Sequence, residues 1–263
     1  MDDAQQTSKI QEGRYLYCIV NNTSESELGE IGLDRNSVYT ISYGDISALT
    51  HDCLARPYES KEEEKAKSWL FSHLYVIDVA TKKFGTVVPF AFDTIIKGNE
   101  DNVREWLSKE YSRLKSNLEK LKDKAEYDIQ IFLDVNSVNQ KIENTNEEIQ
   151  KLKKGIETKP KGVAHMLQKK FDMIIKNELR KKAEEYSNKI HDQVKKYAEG
   201  TEEEKIIKID AEKWKDKEMI LNLSCLVHNS NIKALGNILE QINNTDELSV
   251  RFSGPWSPFN FVS

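Results

Sequence analysis

Between Tyr127 and Val135 the chain alternates without a break, Tyr127, Ile129, Ile131, Leu133 and Val135 against Asp128, Gln130, Phe132 and Asp134. Strict period-two alternation commits this run to a strand with one buried face, and a sheet has to be built around it. Apolar sets further along can supply the partners: Met219, Leu221, Leu223, Cys225 and Val227, then Leu248, Val250 and Phe252, with another strand around Lys205–Ile209. Two helical patterns separate them. The longer runs from about Val163 to Glu199, with Leu167, Phe171, Ile174, Leu179, Ala183, Tyr186, Ile190, Val194 and Tyr197 on its stripe and Gly200 placed as its stop. The shorter spans Ile232–Ile242. The order strand, helix, strand, strand, helix, strand predicts a modified ferredoxin-like antiparallel sheet with helices on one face. A charged helical stretch from about Asn139 to Lys154, which Gly155 and Pro160 should interrupt, enlarges it into an insertion over 139–200.

The first half predicts a smaller mixed α+β domain. Arg14–Val20 places Tyr15, Tyr17 and Ile19 opposite Leu16, Cys18 and Val20, apolar on both faces, as a central strand requires. Strands at Val38–Tyr43 and Ile46–Thr50 flank Gly44-Asp45, a tight-hairpin dipeptide. A helix should start at Ser60, where Ser60 and Glu63 have capping-box spacing, and bury Ala66, Leu70, Leu74, Ile77 and Phe84. A short strand at Thr86–Phe90 follows. A second helix then carries Val103, Leu107, Tyr111, Leu114, Leu118 and Leu121 on one stripe. The expected organisation is a flexible tail over 1–13, an α+β domain over 14–124, a ferredoxin-like domain over 125–252 and an aromatic, proline-bearing tail over 253–263.

Composition narrows the function classes. A net charge of −5 from 39 basic and 44 acidic residues gives no reason to expect a dedicated nucleic-acid binder. The N-terminus is polar and opens acidic, unlike a secretory signal, and no apolar run of about 18 residues is present to span a bilayer. Cys18, Cys53 and Cys225 are odd in number and far apart, which suits a reducing cytoplasm and no disulfide framework.

The search for chemistry comes back empty. There is no GxGxxG or GxxxxGK[ST] phosphate loop. His51, His73, His165, His191 and His228 include no HExxH pair, and none lies three or four residues from another histidine. Cys225 and Cys18 fall in strand registers and read as buried structural thiols rather than nucleophiles. Glu62–Glu64 and Glu202–Glu204 read as solvated charge runs. Residues 159–200 hold eleven Lys or Arg against six acids, and a basic helix beside such a sheet could serve RNA. RNA-binding sheets, however, stack bases on exposed aromatics, and here the open face offers only Phe132. The sequence thus predicts no enzyme, no metal and no cofactor; the alternatives are a ferredoxin-like ligand- or RNA-binding module and a general cytoplasmic scaffold.

Ser253-Gly254-Pro255-Trp256-Ser257-Pro258-Phe259-Asn260-Phe261-Val262 resembles the terminal signature of the gas vesicle F/L family, Gly-Pro-Trp-Pro-Pro-Tyr followed by a small residue, Phe and Val. Ser257 replaces a proline and Phe259 a tyrosine. Asn222–Val227 is similar to that family's Asn-Ala-Ala-Tyr-Leu-Val strand, and Gly162–Leu167 to its Gly-Lys-Ala-Tyr-Leu-Leu helix start. Tyr15–Val20 and Gly44–Leu49 resemble its first strands. Pro89-Phe90-Ala91-Phe92-Asp93-Thr94 stands where the family has Pro-Leu-Arg-Phe-Gly-Thr, with Ala91 in place of the arginine and Asp93 in place of the glycine. The resemblance covers about residues 14–262.

What the resemblance implies is a cytoplasmic accessory protein associated with the gas vesicle, a minor structural component or assembly factor. It implies the major shell protein and other accessory proteins as partners, with neither nucleic acid nor lipid membrane, and no catalytic residues. A shell subunit with a water-repellent face exposes apolar patches before assembly, and a protein that covers them needs an apolar or aromatic surface and no active site. Trp256, Phe259 and Phe261 in the tail, with Phe132 and Ile220 on the sheet, are the candidate partner-binding or domain-seam residues. Three large rings left in water would forgo roughly 1.5–3 kcal/mol each, so the tail is expected to dock, with Trp256 mostly buried.

Overall fold

The computed structural model of the chain describes residues 11–208, 214 and 217–262. It is a mixed α+β structure containing two sheets, and it divides into two compact units, Met1–Ala125 with Trp256–Ser263, and Glu126–Pro255.

The first unit is laid down as β1 (Glu12–Asn21), β2 (Glu27–Gly29), β3 (Val38–Tyr43), β4 (Ile46–Leu54), α1 (Glu63–Phe84), β5 (Val87–Pro89), β6 (Ile95–Lys97) and α2 (Glu100–Leu121). Its sheet runs β2-β3-β4-β1-β5, and β6 also pairs with β1. Every residue of β1 from Gly13 to Val20 is buried, as the doubly apolar run requires, although the strand starts at Glu12, inside the expected tail. The two faces are divided differently from the simple alternation. The register with β4 shifts between Leu16 and Cys18, so a bulge at Tyr17 brings Cys18 and Val20 into the same core cluster as Tyr15 and Tyr17. In the β3–β4 hairpin Gly44 takes φ +61°, the conformation that needs glycine.

The stripe of α2 is buried at Val103, Leu107, Leu114, Leu118 and Leu121, with Tyr111 half-buried. Asn99 caps the helix by accepting from Asp101 N and Asn102 N. Helix α1 departs from its expected start and face. It begins at Glu63 rather than Ser60; Ser60 Oγ accepts from Glu62 N, and no side chain caps the first turn. It buries Trp69, His73, Val76, Ile77 and Ala80, leaving Leu70 and Leu74 exposed together with Phe71 and Tyr75.

The second unit continues as β7 (Lys124–Asp134), α3 (Val135–Thr145), α4 (Glu147–Thr158), α5 (Lys161–Val194), β8 (Gly200–Glu203), β9 (Lys217–His228), α6 (Ile232–Asn243) and β10 (Leu248–Trp256). Its sheet runs β10-β7-β9-β8, so β7 and β9 are neighbours, and β8 pairs antiparallel with β9. Gly155 does not interrupt a helix. It lies inside α4, where a Cβ would come within 2.9 Å of Leu167 Cδ1, so the missing side chain lets α4 and α5 approach closely. Gly200 likewise opens β8 rather than stopping α5, which ends at Val194. The strand around Lys205–Ile209 is not formed at 205–208, and Ile209 lies outside the described residues. Pro255 does not end β10, which reaches Trp256 at the edge of the sheet, where a missing N–H costs no ladder bond.

Glu247, nearly buried, ties this unit together. It accepts from Lys141 Nζ of α3 and from Tyr186 Oη of α5 at 2.8 Å, and the Lys141 hydrogen bond holds its carboxyl below the usual range.

Candidate functional site

The most ordered polar constellation is one the sequence reading did not see. Tyr15 and Tyr17 of β1, His51 of β4, Tyr58 of the following loop and His73 of α1 meet in the core of the first unit. Tyr15 Oη lies 2.9 Å from His73 Nδ1, and Tyr17 Oη 2.8 Å from His51 Nδ1. His73 Nε2 is 3.0 Å from the Phe90 carbonyl, which can only accept. His73 therefore carries its proton on Nε2 and accepts at Nδ1 from the Tyr15 hydroxyl. Asp93 N donates to the same hydroxyl oxygen at 3.1 Å, and Leu33 N donates to Tyr17 Oη at 3.0 Å. His51 Nε2 lies 3.0 Å from Tyr58 Oη, so the His51 ring bridges the Tyr17 and Tyr58 hydroxyls. Every ring nitrogen of the two histidines has a hydrogen-bond partner, and burial keeps both rings neutral.

Burial sets the electrostatics. Desolvation pushes His51 down to about 4 against weaker opposing fields from Asp52 and Asp34, and His73 down to about 4 as well. It drives the Tyr15 and Tyr17 hydroxyls far above their ordinary range. Burial also raises the thiols, Cys53 to about 11 and Cys225 to about 12, so neither is activated as a nucleophile. Among the described residues no group of three or more His, Cys, Asp or Glu side chains is placed to hold a metal ion. The cluster ties the first unit's core together through hydrogen bonds, with Tyr15, Tyr17, His51 and His73 buried and Tyr58 half-buried.

Asp93 makes good one departure from the family motif. It takes φ +70°, where glycine would be free and aspartate is among the residues that tolerate the left-handed region. Its Oδ1 accepts from Tyr58 N at 3.0 Å. Ala91 is exposed, and its carbonyl accepts from Thr94 Oγ1 at 2.7 Å.

The five candidate residues separate. Phe261 is buried, with Lys120 Nζ donating to its carbonyl at 2.9 Å, and Phe259 packs half-buried against the first unit's core, its ring 6.4 Å from His73. Phe132 is 2% exposed, since Trp214 stacks on it at 4.0 Å and covers the ring expected on an open face. Ile220 is half-buried. Trp256 is 52% exposed, which overturns the expectation that it packs away. The reason is local: the strand carries on through Pro255 to Trp256, and the chain turns at Phe259–Phe261, so two rings dock and the third stays outside. Phe252, on the same strand, is 38% exposed and stacks on Tyr127 at 5.2 Å.

The whole fold is similar to two solved structures. The gas vesicle protein GvpF of an Anabaena species superposes with a TM-score of 0.72 at 21% identity, covering 96% of this chain and 98% of that one. GvpF of Microcystis aeruginosa gives 0.65 at 19%, covering 95% and 99%. At these identities the likeness defines the architecture. Among sequences, gas vesicle protein L of Haloferax mediterranei is 27% identical over 96% of this chain and 88% of its own length. Gas vesicle protein L1 of Halobacterium salinarum is 28% identical over 98% and 93%. The family described as gas vesicle synthesis protein GvpL/GvpF matches residues 13–263, and the chain belongs to that family.

Proposed function

We propose that this chain is a non-enzymatic accessory protein of the gas vesicle, a minor structural component or assembly factor that binds the major shell protein and acts with other accessory proteins in the cytoplasm. Membership of the family over residues 13–263 carries this reading. The raised Cys53 and Cys225 thiols agree with a binding role. Trp256 is the residue best suited to meet the shell subunit. It offers a half-exposed indole on an edge strand, and covering the remainder would favour binding by about 2 kcal/mol.

On this reading the second unit is a modified ferredoxin-like domain, supported by the β10-β7-β9-β8 order, with α3 and α4 as additions to it. The segments 14–124 and 125–252 act as its two domains. An RNA-binding role on the sheet is disfavoured, because Trp214 occupies the face of Phe132 on which a base would stack.

The test is co-purification of tagged full-length protein with the shell protein, wild type against Trp256→Ala. Retention of the shell protein by wild type and its loss from the variant would support the reading. Failure of the wild type to retain it would refute shell binding, and equal retention by both would remove Trp256 from the contact.

A further inference from the structure

Helix α1 is apolar nearly all round over 69–80, the pattern of a helix covered on both sides. One side, Trp69, His73, Val76, Ile77 and Ala80, lies in the first unit's core. The other carries Leu70, Phe71, Leu74 and Tyr75, which are 44%, 68%, 42% and 54% exposed. Residues one, four and five apart on a helix form one continuous strip over two turns. Together these four side chains expose on the order of 400 Å², a single patch as large as the largest on typical monomers.

The sequence around the strip specifies what covers it. Leu70 and Tyr75 are equidistant from the Ser72–His73 peptide, and so are Phe71 and Leu74. The charges beyond them follow the same symmetry with opposite sign: Lys67 is matched by Asp78, and Glu63 by Lys82. Within one chain these residues pair along the helix, Lys67 Nζ to Glu63 Oε1 at 2.7 Å and Lys82 Nζ to Asp78 Oδ2 at 2.6 Å. A two-fold axis passing outward through the middle of the strip sets a second α1 antiparallel to the first. It places Lys67 against Asp78 of the second copy, Glu63 against its Lys82 and Phe71 against its Leu74. The signs match at both ends without any change of sequence.

We infer that the outer face of α1 binds a second copy of this chain in a two-fold, antiparallel α1–α1 contact. The four apolar side chains from each copy supply about 800 Å², and the flanking charged stems bring the total to the lower end of specific interfaces, roughly 1,200 Å². The charges at either end set the register, because a parallel or slipped pairing would bring like charges together.

Sedimentation of the full chain over a concentration series should show a monomer–dimer equilibrium. Phe71→Ser, at a position that takes no part in the core, should weaken dimerisation at least about tenfold while leaving the circular dichroism spectrum unchanged. K67E and D78K should each weaken it about threefold or more, and K67E/D78K should return it to within about twofold of wild type. A chain that is monomeric throughout would overturn the inference. So would a dimer indifferent to Phe71→Ser, or a double reversal weaker than either single one. None of these readings depends on shell binding, so this inference and the proposed function can fail separately.

Discussion

Lowering the pH from 7 to 5 tests the buried histidine network, and the magnitude follows from its geometry. Both ring nitrogens of His51 and of His73 are engaged in hydrogen bonds, so a second proton on either ring forces one of those bonds to reverse or break. Burial pushes each down to about 4, whereas in the unfolded chain each titrates near the ordinary value of about 6.5. The depressed value means that the unfolded state takes up protons first as pH falls. The stabilisation is complete above about pH 6.5 and is lost progressively down to about pH 4. At pH 5 each histidine should have lost about 2 kcal/mol, roughly 4 kcal/mol for the two, or on the order of 10 °C in melting temperature. Asp34 and Glu247 are held below the ordinary carboxylate range and contribute only at lower pH, so the interval from 6.5 to 5 isolates the histidines. Thermal or urea unfolding at stepped pH is the assay, with a His51→Asn/His73→Asn variant as the control whose pH dependence should flatten. Stability unchanged between pH 7 and 5 would refute the neutral, doubly hydrogen-bonded arrangement. Nitrogen chemical shifts should also report both rings neutral at pH 7, with His73 protonated on Nε2.

Asp93→Ala should cost about 2 kcal/mol, from left-handed strain and the lost bond to Tyr58 N, whereas Asp93→Gly should cost about half as much; chemical denaturation of the pair checks the difference. Phe261→Ala should lower stability by about 3 kcal/mol, while Trp256→Ala should change it by no more than about 1 kcal/mol, read by differential scanning calorimetry. Truncating Phe132 to alanine should likewise cost about 3 kcal/mol and should red-shift the Trp214 fluorescence component.

Helix α2 was legible because its apolar residues recur on one face against a charged remainder, so the period alone selects the buried stripe. Helix α1 was not. With Trp69, Leu70, Phe71, Leu74, Tyr75, Val76, Ile77, Val79 and Ala80 in one run, two faces fit an apolar stripe equally well. The chosen set, through Leu70 and Leu74, straddles the core and the outside. Tyr127–Val135 could be read outright, since alternation admits one side-chain partition. Tyr15–Val20 misled at its far end because a bulge inserts one residue into the count and nothing in an apolar run announces it. The Tyr–His network draws on β1, β4, a loop and α1, so no local spacing could reveal it; the one available signal was a pair of histidines in otherwise apolar segments. Trp256 was misjudged for an energetic reason. The cost of exposing three rings was charged to the tail as a whole, and the turn at Phe259–Phe261 lets it be met by two.

The central claim, a binding role in gas vesicle formation, is tested most directly by vesicle yield in a clean deletion strain complemented with wild-type protein or with Trp256→Ala at matched expression. The account predicts loss of intact vesicles on deletion, rescue by wild type, and poor rescue by a Trp256→Ala protein whose melting temperature is unchanged. Normal buoyancy and intact vesicles in the deletion strain would contradict it.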